Sequence, residues 1–184
     1  PPTHPLYRYA VTGMGLKYRA HPLAITLAFE TLKELDTYLS TRDKFAKRII
    51  TALKNVPGLI PPQITNNIQP SWYALVFQYK SEAFQGLPIE RFSEALQAEG
   101  LLEADRPGST SPLNLLPLFQ NPTELFPVYK NNKFSYSPGE FPHAEKFYQN
   151  AIKFPVWAEQ KYAHVVASYI RGIKRVTDNY QQLL

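Results

Sequence analysis

Residues 13–39, GMGLKYRAHPLAITLAFETLKELDTYL, join a short glycine-rich, basic turn to a long apolar-periodic stretch. From Pro22 to about Leu53, apolar residues recur mostly every three or four positions with charged residues between them, which predicts one long amphipathic helix. At about 1.5 Å per residue this helix would be roughly 48 Å long, more than a small domain can cover. Part of its apolar face is therefore expected to need a partner.

The rest of the chain predicts short strands and further helices. Aromatic and β-branched residues favour a central strand in SWYALVFQYK, residues 71–80, and apolar spacing favours a C-terminal helix from Ala163 to Tyr180. The remaining predictions are strands at 58–60 and 101–104, a helix from Pro88 to Ala98, a proline-rich loop at 105–141, a helix from Pro142 and a brief extended piece in KFPVW, residues 153–157. This order predicts the α+β class, with a small, mainly antiparallel sheet flanked by helices.

Composition excludes several classes of protein. The chain of 184 residues has a formal net charge of +5, spread over all segments without a basic run, so nucleic acid is not a predicted partner. It has no cysteine, which excludes disulfides and thiolate metal sites, and no apolar run approaches the roughly 20 residues that a membrane-spanning helix needs. Because the four histidines lie far apart, no metal site is predicted. We expect a soluble cytoplasmic protein without a membrane partner.

Lys17 and Arg19 form a basic pair just before the long helix. An anion there would meet two cationic side chains and the positive end of the helix dipole. A solvated basic turn is the plainer alternative, and spacing alone favours it. His21 is interpreted as part of the turn that precedes the helix, because the residue before a proline is pushed away from helical geometry.

A second polar group, Ser109, Thr110 and Asn114, lies in the proline-rich loop. Small hydroxyl and amide side chains suit hydrogen bonds to a polyhydroxylated ligand. Turn capping explains the three residues equally well. A catalytic serine is not predicted, because the segment PGSTSP precedes a loop rather than the helix that a nucleophilic serine turn requires.

Four segments together resemble the C-terminal portion of the DegT/StrS-type sugar aminotransferases. They are GMGLKYRAHPLAITLAFETLKELD, SWYALVFQYK, RPGSTSPLNLLPLF and FPHAEKFYQNAIKFPVW, and they cover almost the whole chain in the family's order. Within the family, the chain is most similar to the branch that acts on keto-inositols and related cyclitols, whose members carry a G-x-K-Y-R turn and a P-G-S-T-x-P-L-N-like loop. The resemblance implies a fold-type I pyridoxal phosphate enzyme that forms homodimers, of which this chain is the small C-terminal domain.

The resemblance assigns roles only where the motifs match. The family's G-x-N-x-R turn corresponds to residues 15–19, so Lys17 takes the place of the asparagine that reaches the cofactor phosphate of the neighbouring subunit, and Arg19 is assigned to the same contact. The family's P-L-H substrate loop corresponds to residues 112–114, which puts Asn114, with Ser109 and Thr110, near the substrate. No residue matches the cofactor-binding lysine, the aspartate at the pyridine nitrogen or the stacking aromatic residue, so no catalytic residue is assigned.

The resemblance thus implies part of an enzyme. Residues 1–21 are expected to be a loop that continues from a missing large domain, and residues 22–184 to be the small domain. In the parent enzyme an amino group would pass from glutamine or glutamate to a keto sugar or keto cyclitol. The chain alone is expected to bind no pyridoxal phosphate and to be inactive. The alternative is a non-catalytic dimerisation or interaction module, left after loss of the catalytic domain.

Overall fold

The structure is a computed structural model that describes residues 3–9, 19–131 and 136–184. Its helices are α1 (Pro22–Lys33), α2 (Leu35–Leu53), α3 (Ile89–Ala98), α4 (Pro117–Gln120), α5 (Pro142–Gln149) and α6 (Ala163–Asp178), and its strands are β1 (Leu59–Ile60), β2 (Leu75–Tyr79) and β3 (Ala151–Phe154). The chain divides into two compact units. We call them the loop unit (Pro1–Ala20 and Pro107–Gln149) and the sheet unit (His21–Arg106 and Asn150–Leu184).

The sheet unit is built around a three-stranded antiparallel sheet in the order β1-β2-β3. Phe77 of β2 pairs with Ile152 of β3, and Tyr79 pairs with Leu59 of β1. Along β2 the side chains of Leu75, Phe77 and Tyr79 are buried, and those between them are half-buried. Buried apolar residues of α2, α3 and α6 complete the core. The α+β class, the antiparallel sheet and the central position of β2 confirm the sequence-based fold.

The helix predicted over residues 22–53 has these bounds but is divided at Glu34. There ψ is 4°, and the Glu34 N–H donates to the Thr31 carbonyl oxygen at 3.2 Å. This bond spans three residues instead of four, so the chain tightens between α1 and α2. Glutamate is a good helix former, and therefore nothing in the local sequence marks the division.

α1 is apolar around most of its circumference and has no buried residue. Five large apolar side chains are more than half exposed: Leu23, Ile25, Leu27, Phe29 and Leu32. With about 3.6 residues per turn, these residues and two alanines cover an arc of roughly 240°. Apolar helices of this kind are normally buried, so α1 has the surface of a helix that another protein surface covers.

The predicted strand at 101–104 is wrong. The Leu101 N–H donates to the Leu96 carbonyl oxygen at 3.0 Å, which closes the C-terminal end of α3 and commits the following residues to a turn. Extended pairing starts only at Asp105, which forms an isolated bridge with Lys153 of β3. Burial of Leu101 and Ala104 in the core produced the strand-like apolar pattern.

The extended piece predicted in KFPVW is a strand that begins earlier. β3 starts at Ala151 and ends at Phe154, because Pro155 has no N–H to donate to the sheet. Phe154 packs edge to face on Phe77, with ring centroids 5.6 Å apart.

Trp72 and Tyr73 precede β2 instead of lying on it. Trp72 is buried, and its Nε1 donates to Oδ1 of Asp43 in α2 at 3.1 Å. Tyr73 is 92% exposed. One residue of the pair is therefore buried and the other solvated, as alternation predicts, although the alternation belongs to the segment before the strand.

The loop unit contains α4, α5 and a series of single helical turns. Within the predicted loop at 105–141 these turns are Gly108–Thr110, Leu113–Leu115, Pro122–Glu124 and Pro127–Asn131. Three of the short helices begin at a proline, whose fixed φ suits the first helical position. An ion pair between Arg8 and Glu124 joins the N-terminal turn, Pro5–Tyr9, to this series.

Candidate functional site

The predicted substrate residues lie on two consecutive turns of the loop unit. Ser109 and Thr110 belong to the first turn, Gly108–Thr110, and Asn114 to the second, Leu113–Leu115. The exposed Thr110 hydroxyl donates to the Pro107 carbonyl oxygen at 3.0 Å. Turn capping therefore accounts for the Thr110 donor, and its oxygen remains able to accept a hydrogen bond.

Asn114 is a buried polar residue, only 4% exposed. Its Nδ2 donates to Oε1 of Glu145 at 2.7 Å and to the carbonyl oxygen of Ser137 at 3.2 Å. One amide group thus links the predicted substrate loop to the segment before α5 and to α5 itself. A ligand role for Asn114 remains a prediction.

Glu145, in the first turn of α5, is the centre of this network. Besides Asn114, its carboxylate accepts the Gly139 N–H at 2.9 Å and the Phe141 N–H at 3.3 Å. The hydrogen bond from Gly139, followed by those from Asn114 and Phe141, lowers the pKa of Glu145 below its ordinary value and outweighs the opposing effect of burial. The carboxylate is therefore ionised at neutral pH.

A cavity of about 380 Å³ adjoins this network; we call it the Asn114 cavity. Besides Asn114, it is lined by Pro112, Leu113, Phe119, Tyr136, Phe141 and Ala144. The rings of Tyr136 and Phe141 lie 6.1 Å apart at the centroids, tilted by 48°. None of its described lining residues is charged, so the walls offer ring faces and few polar atoms.

A second cavity of about 340 Å³ in the loop unit shares Phe119 and Tyr136 with the first. Its other lining residues are Leu118, Pro122, Phe126, Val128 and Tyr129. We call the residues that line these two cavities the aromatic groove; each cavity has a volume in the range of small-molecule sites.

Glu145 and the aromatic groove were not predicted from the sequence. A glutamate in the first turn of a helix often satisfies N–H groups that precede the helix, and AEK after Pro142 carries that signal. The groove has no such signal, because its rings come from separated turns in a stretch without periodicity.

The predicted cofactor residues are described only in part. Lys17 lies outside the described residues. Arg19 is exposed and forms no hydrogen bond or ion pair with the rest of the described chain. His21 caps α1, since its Nδ1 accepts the Leu23 N–H at 3.2 Å, which confirms its interpretation as a residue of the turn before the helix.

Neither a metal centre nor a membrane segment is found in the described part of the chain. No three histidine, cysteine, aspartate or glutamate residues within it are grouped so that they could hold a metal ion. Among the same residues, no helix combines the length and apolarity that crossing a membrane requires.

Comparison with known proteins places the chain in a family. The sequence profile of the DegT/DnrJ/EryC1/StrS aminotransferase family matches residues 3–171. The spore coat polysaccharide biosynthesis protein SpsC of Bacillus subtilis is 27% identical over 149 residues, which are 81% of this chain and 35% of SpsC. The chain thus spans about a third of the length of this relative.

Solved structures of longer proteins share the fold. Helicobacter pylori PseC, an aminotransferase involved in the biosynthesis of pseudoaminic acid, superposes with a TM-score of 0.67 at 18% identity, over 90% of this chain and 40% of PseC. DesV of S. venezuelae gives a TM-score of 0.60 at 17% identity, over 91% of this chain and 42% of DesV. The small antiparallel sheet with its flanking helices is thus the fold of one part of these longer proteins, and the chain belongs to the DegT/DnrJ/EryC1/StrS aminotransferase family.

Proposed function

We propose that this chain is the C-terminal part of a pyridoxal phosphate-dependent aminotransferase that delivers an amino group to a keto sugar or keto cyclitol. The family match over residues 3–171 carries the proposal. The relatives support it: SpsC is a polysaccharide biosynthesis protein, and PseC is an aminotransferase of pseudoaminic acid biosynthesis. The absence of cysteine suits a cytoplasmic location for such an enzyme.

The chain's own residues would contribute contacts instead of the chemical step. Pyridoxal phosphate, when bound in the longer protein, would carry the amino group between donor and acceptor. The exposed guanidinium of Arg19 suits a phosphate contact, with Lys17 beside it in the sequence. Ser109, Thr110 and Asn114 would contact the acceptor. The lysine that holds the cofactor would come from outside residues 1–184, and the chain alone is inactive in this proposal.

An assay of amino transfer tests this function. The protein translated from the full reading frame, supplied with pyridoxal phosphate and glutamine or glutamate, should aminate a keto cyclitol or a nucleotide-linked keto sugar, whereas the 184-residue chain should show no turnover. Turnover by the chain alone would contradict the assignment of the cofactor lysine to a segment outside residues 1–184. A full-length protein that aminates no keto sugar and no keto cyclitol would contradict the proposed function.

A homodimer is part of the proposal, and the surface of α1 supports it. Exposed apolar side chains around α1 need a covering surface, which a second copy of the chain can supply. The same surface favours the second candidate function, a non-catalytic dimerisation module. The two candidate functions make different predictions for the sequence that precedes residue 1. Only the enzyme requires a segment there, in the same reading frame, with a lysine that binds the cofactor.

Self-association through α1 is expected to depend on its apolar arc. Phe29→Glu and Leu32→Glu should each raise the dimer dissociation constant roughly tenfold or more, because a carboxylate would be buried without a partner. Thr26→Glu is the matched control, since Thr26 lies on the polar side of the same helix. Sedimentation velocity at several concentrations measures the constants. A strictly monomeric wild type, or an equal loss in the control, would count against pairing through α1.

A further inference from the structure

Both N–H groups of the Asn114 amide are used within the loop unit. Their partners, the Glu145 carboxylate and the Ser137 carbonyl oxygen, can only accept hydrogen bonds. The amide nitrogen must therefore face them, and the opposite orientation, with oxygen against oxygen, is excluded. Glu145 enforces this choice most strongly, because its bond to Asn114 is the shorter one and is assisted by charge.

The amide oxygen of Asn114 is left without a partner among the described residues. Asn114 is 4% exposed and lines the Asn114 cavity, so a molecule inside that cavity lies beside its side chain. The amide oxygen is not among the buried side-chain atoms that lack a hydrogen-bond partner, so it stays accessible and can accept a hydrogen bond. The cavity therefore suits an occupant that donates a hydrogen bond.

The walls of the cavity narrow the chemistry of this occupant. Phe119, Tyr136 and Phe141 offer ring faces, and no described lining residue carries a charge. Among the described lining residues, a phosphate or carboxylate would meet no cation and an ammonium group would meet no carboxylate. A neutral ring fits instead, with one C–H face against the aromatic rings and a hydroxyl that donates to Asn114.

We propose that Glu145 is a positioning residue that presents the oxygen of Asn114 as an acceptor, and that the Asn114 cavity thereby selects a neutral ring with a hydroxyl donor. The inference rests on the proposed function only where this ring is identified with the acceptor sugar or cyclitol. Binding by the 184-residue chain tests the cavity separately from amino transfer. If the chain binds such a ring but the full-length protein has no transferase activity, the proposed function is contradicted and the inference about the cavity stands.

The probes are myo-inositol, as a neutral polyhydroxylated ring, and the pair cyclohexanol and cyclohexanone, in which only the alcohol can donate. Ligand-observed NMR with the wild-type chain should detect myo-inositol and show tighter binding of cyclohexanol than of cyclohexanone. Asn114→Leu removes the acceptor and should weaken myo-inositol roughly three- to tenfold.

Glu145→Leu provides the readout that separates positioning from folding, and Glu145→Gln is its conservative counterpart. Asn114, Gly139 and Phe141 all donate to Oε1 of Glu145, and the amide oxygen of a glutamine can take that place, so Glu145→Gln should keep the wild-type preference. Leucine offers no acceptor, so the Asn114 amide can turn over in Glu145→Leu, and the preference for cyclohexanol over cyclohexanone should shrink or reverse. Thr123→Val is the control, since the Thr123 hydroxyl bonds to Asn121 at 2.8 Å, away from the cavity. Its preference should equal that of the wild type.

Three results would overturn the inference. They are no binding of myo-inositol or cyclohexanol by the wild-type chain, unchanged binding in Asn114→Leu, and an unchanged preference in a folded Glu145→Leu variant. Circular dichroism checks folding of each variant. If Glu145→Leu fails to fold, Asn114→Leu decides, because this substitution must weaken the binding of cyclohexanol and leave the binding of cyclohexanone unchanged.

Discussion

Replacing Phe77 with alanine is expected to lower the free energy of unfolding of the chain by about 3–5 kcal/mol. Phe77 is fully buried at the centre of β2, and its ring packs edge to face on Phe154 at 5.6 Å. The substitution removes the buried ring and leaves a cavity that strands on both sides of β2 prevent from collapsing. Against the 5–15 kcal/mol that a typical domain has, about a fifth of the stability or more would be lost.

Urea unfolding followed by circular dichroism measures this loss. Tyr73→Ala is the matched control, because Tyr73 is an aromatic residue just before the same strand and is 92% exposed. Its stability should change by no more than about 0.5 kcal/mol. Similar losses in the two variants would contradict the assignment of Phe77 to the core and of Tyr73 to the surface.

Gly58→Ala should be the most damaging of the glycine substitutions in the sheet unit. Gly58 has a φ of +81°, and a Cβ there would lie 2.4 Å from Cε2 of Phe84 and 2.8 Å from Cβ of Ala83. Phe84 cannot move aside, because its ring stacks on Tyr79 with centroids 5.2 Å apart. The left-handed backbone costs about 1 kcal/mol and the overpacking about 1–3 kcal/mol more.

Gly100→Ala separates these two costs. Gly100 ends α3 with a φ of +86°, but an added Cβ there would meet nothing within 4 Å. Only the backbone cost of about 1 kcal/mol is expected, so Gly58→Ala should lower the midpoint of thermal unfolding clearly more than Gly100→Ala. Equal shifts would show that the turn before β1 has room for a side chain.

Periodicity predicted the helices because long amphipathic segments bury a continuous stripe. α3, α5 and α6 begin within one residue of their predicted starts at Pro88, Pro142 and Ala163. The division at Glu34 has no such basis, since it depends on the hydrogen bond from Glu34 to Thr31 within a stretch whose apolar spacing continues unbroken. The turn at 101–104 shows the opposite case, in which tertiary burial gives a turn the composition of a strand.

The candidate site was predictable only through its small polar residues. Asn114 stands in a loop composition that suits a sugar ligand, and the resemblance named the same residue. Its partner Glu145 is 31 positions away in the sequence, and the hydrogen bond between them exists only after the loop unit has folded. The aromatic groove is likewise a product of folding, because Phe119 and Tyr136 are brought together by turns that carry no periodic signal.

Covalent trapping of the cofactor tests the central claim most directly. Incubation with pyridoxal phosphate, borohydride reduction and peptide mass spectrometry locate any lysine that holds the cofactor. For the protein translated from the full reading frame, the account predicts one reduced cofactor adduct, on a lysine outside residues 1–184. For the 184-residue chain it predicts none above the level of a denatured control. A specific adduct on Lys17 or any other lysine of this chain would contradict the account.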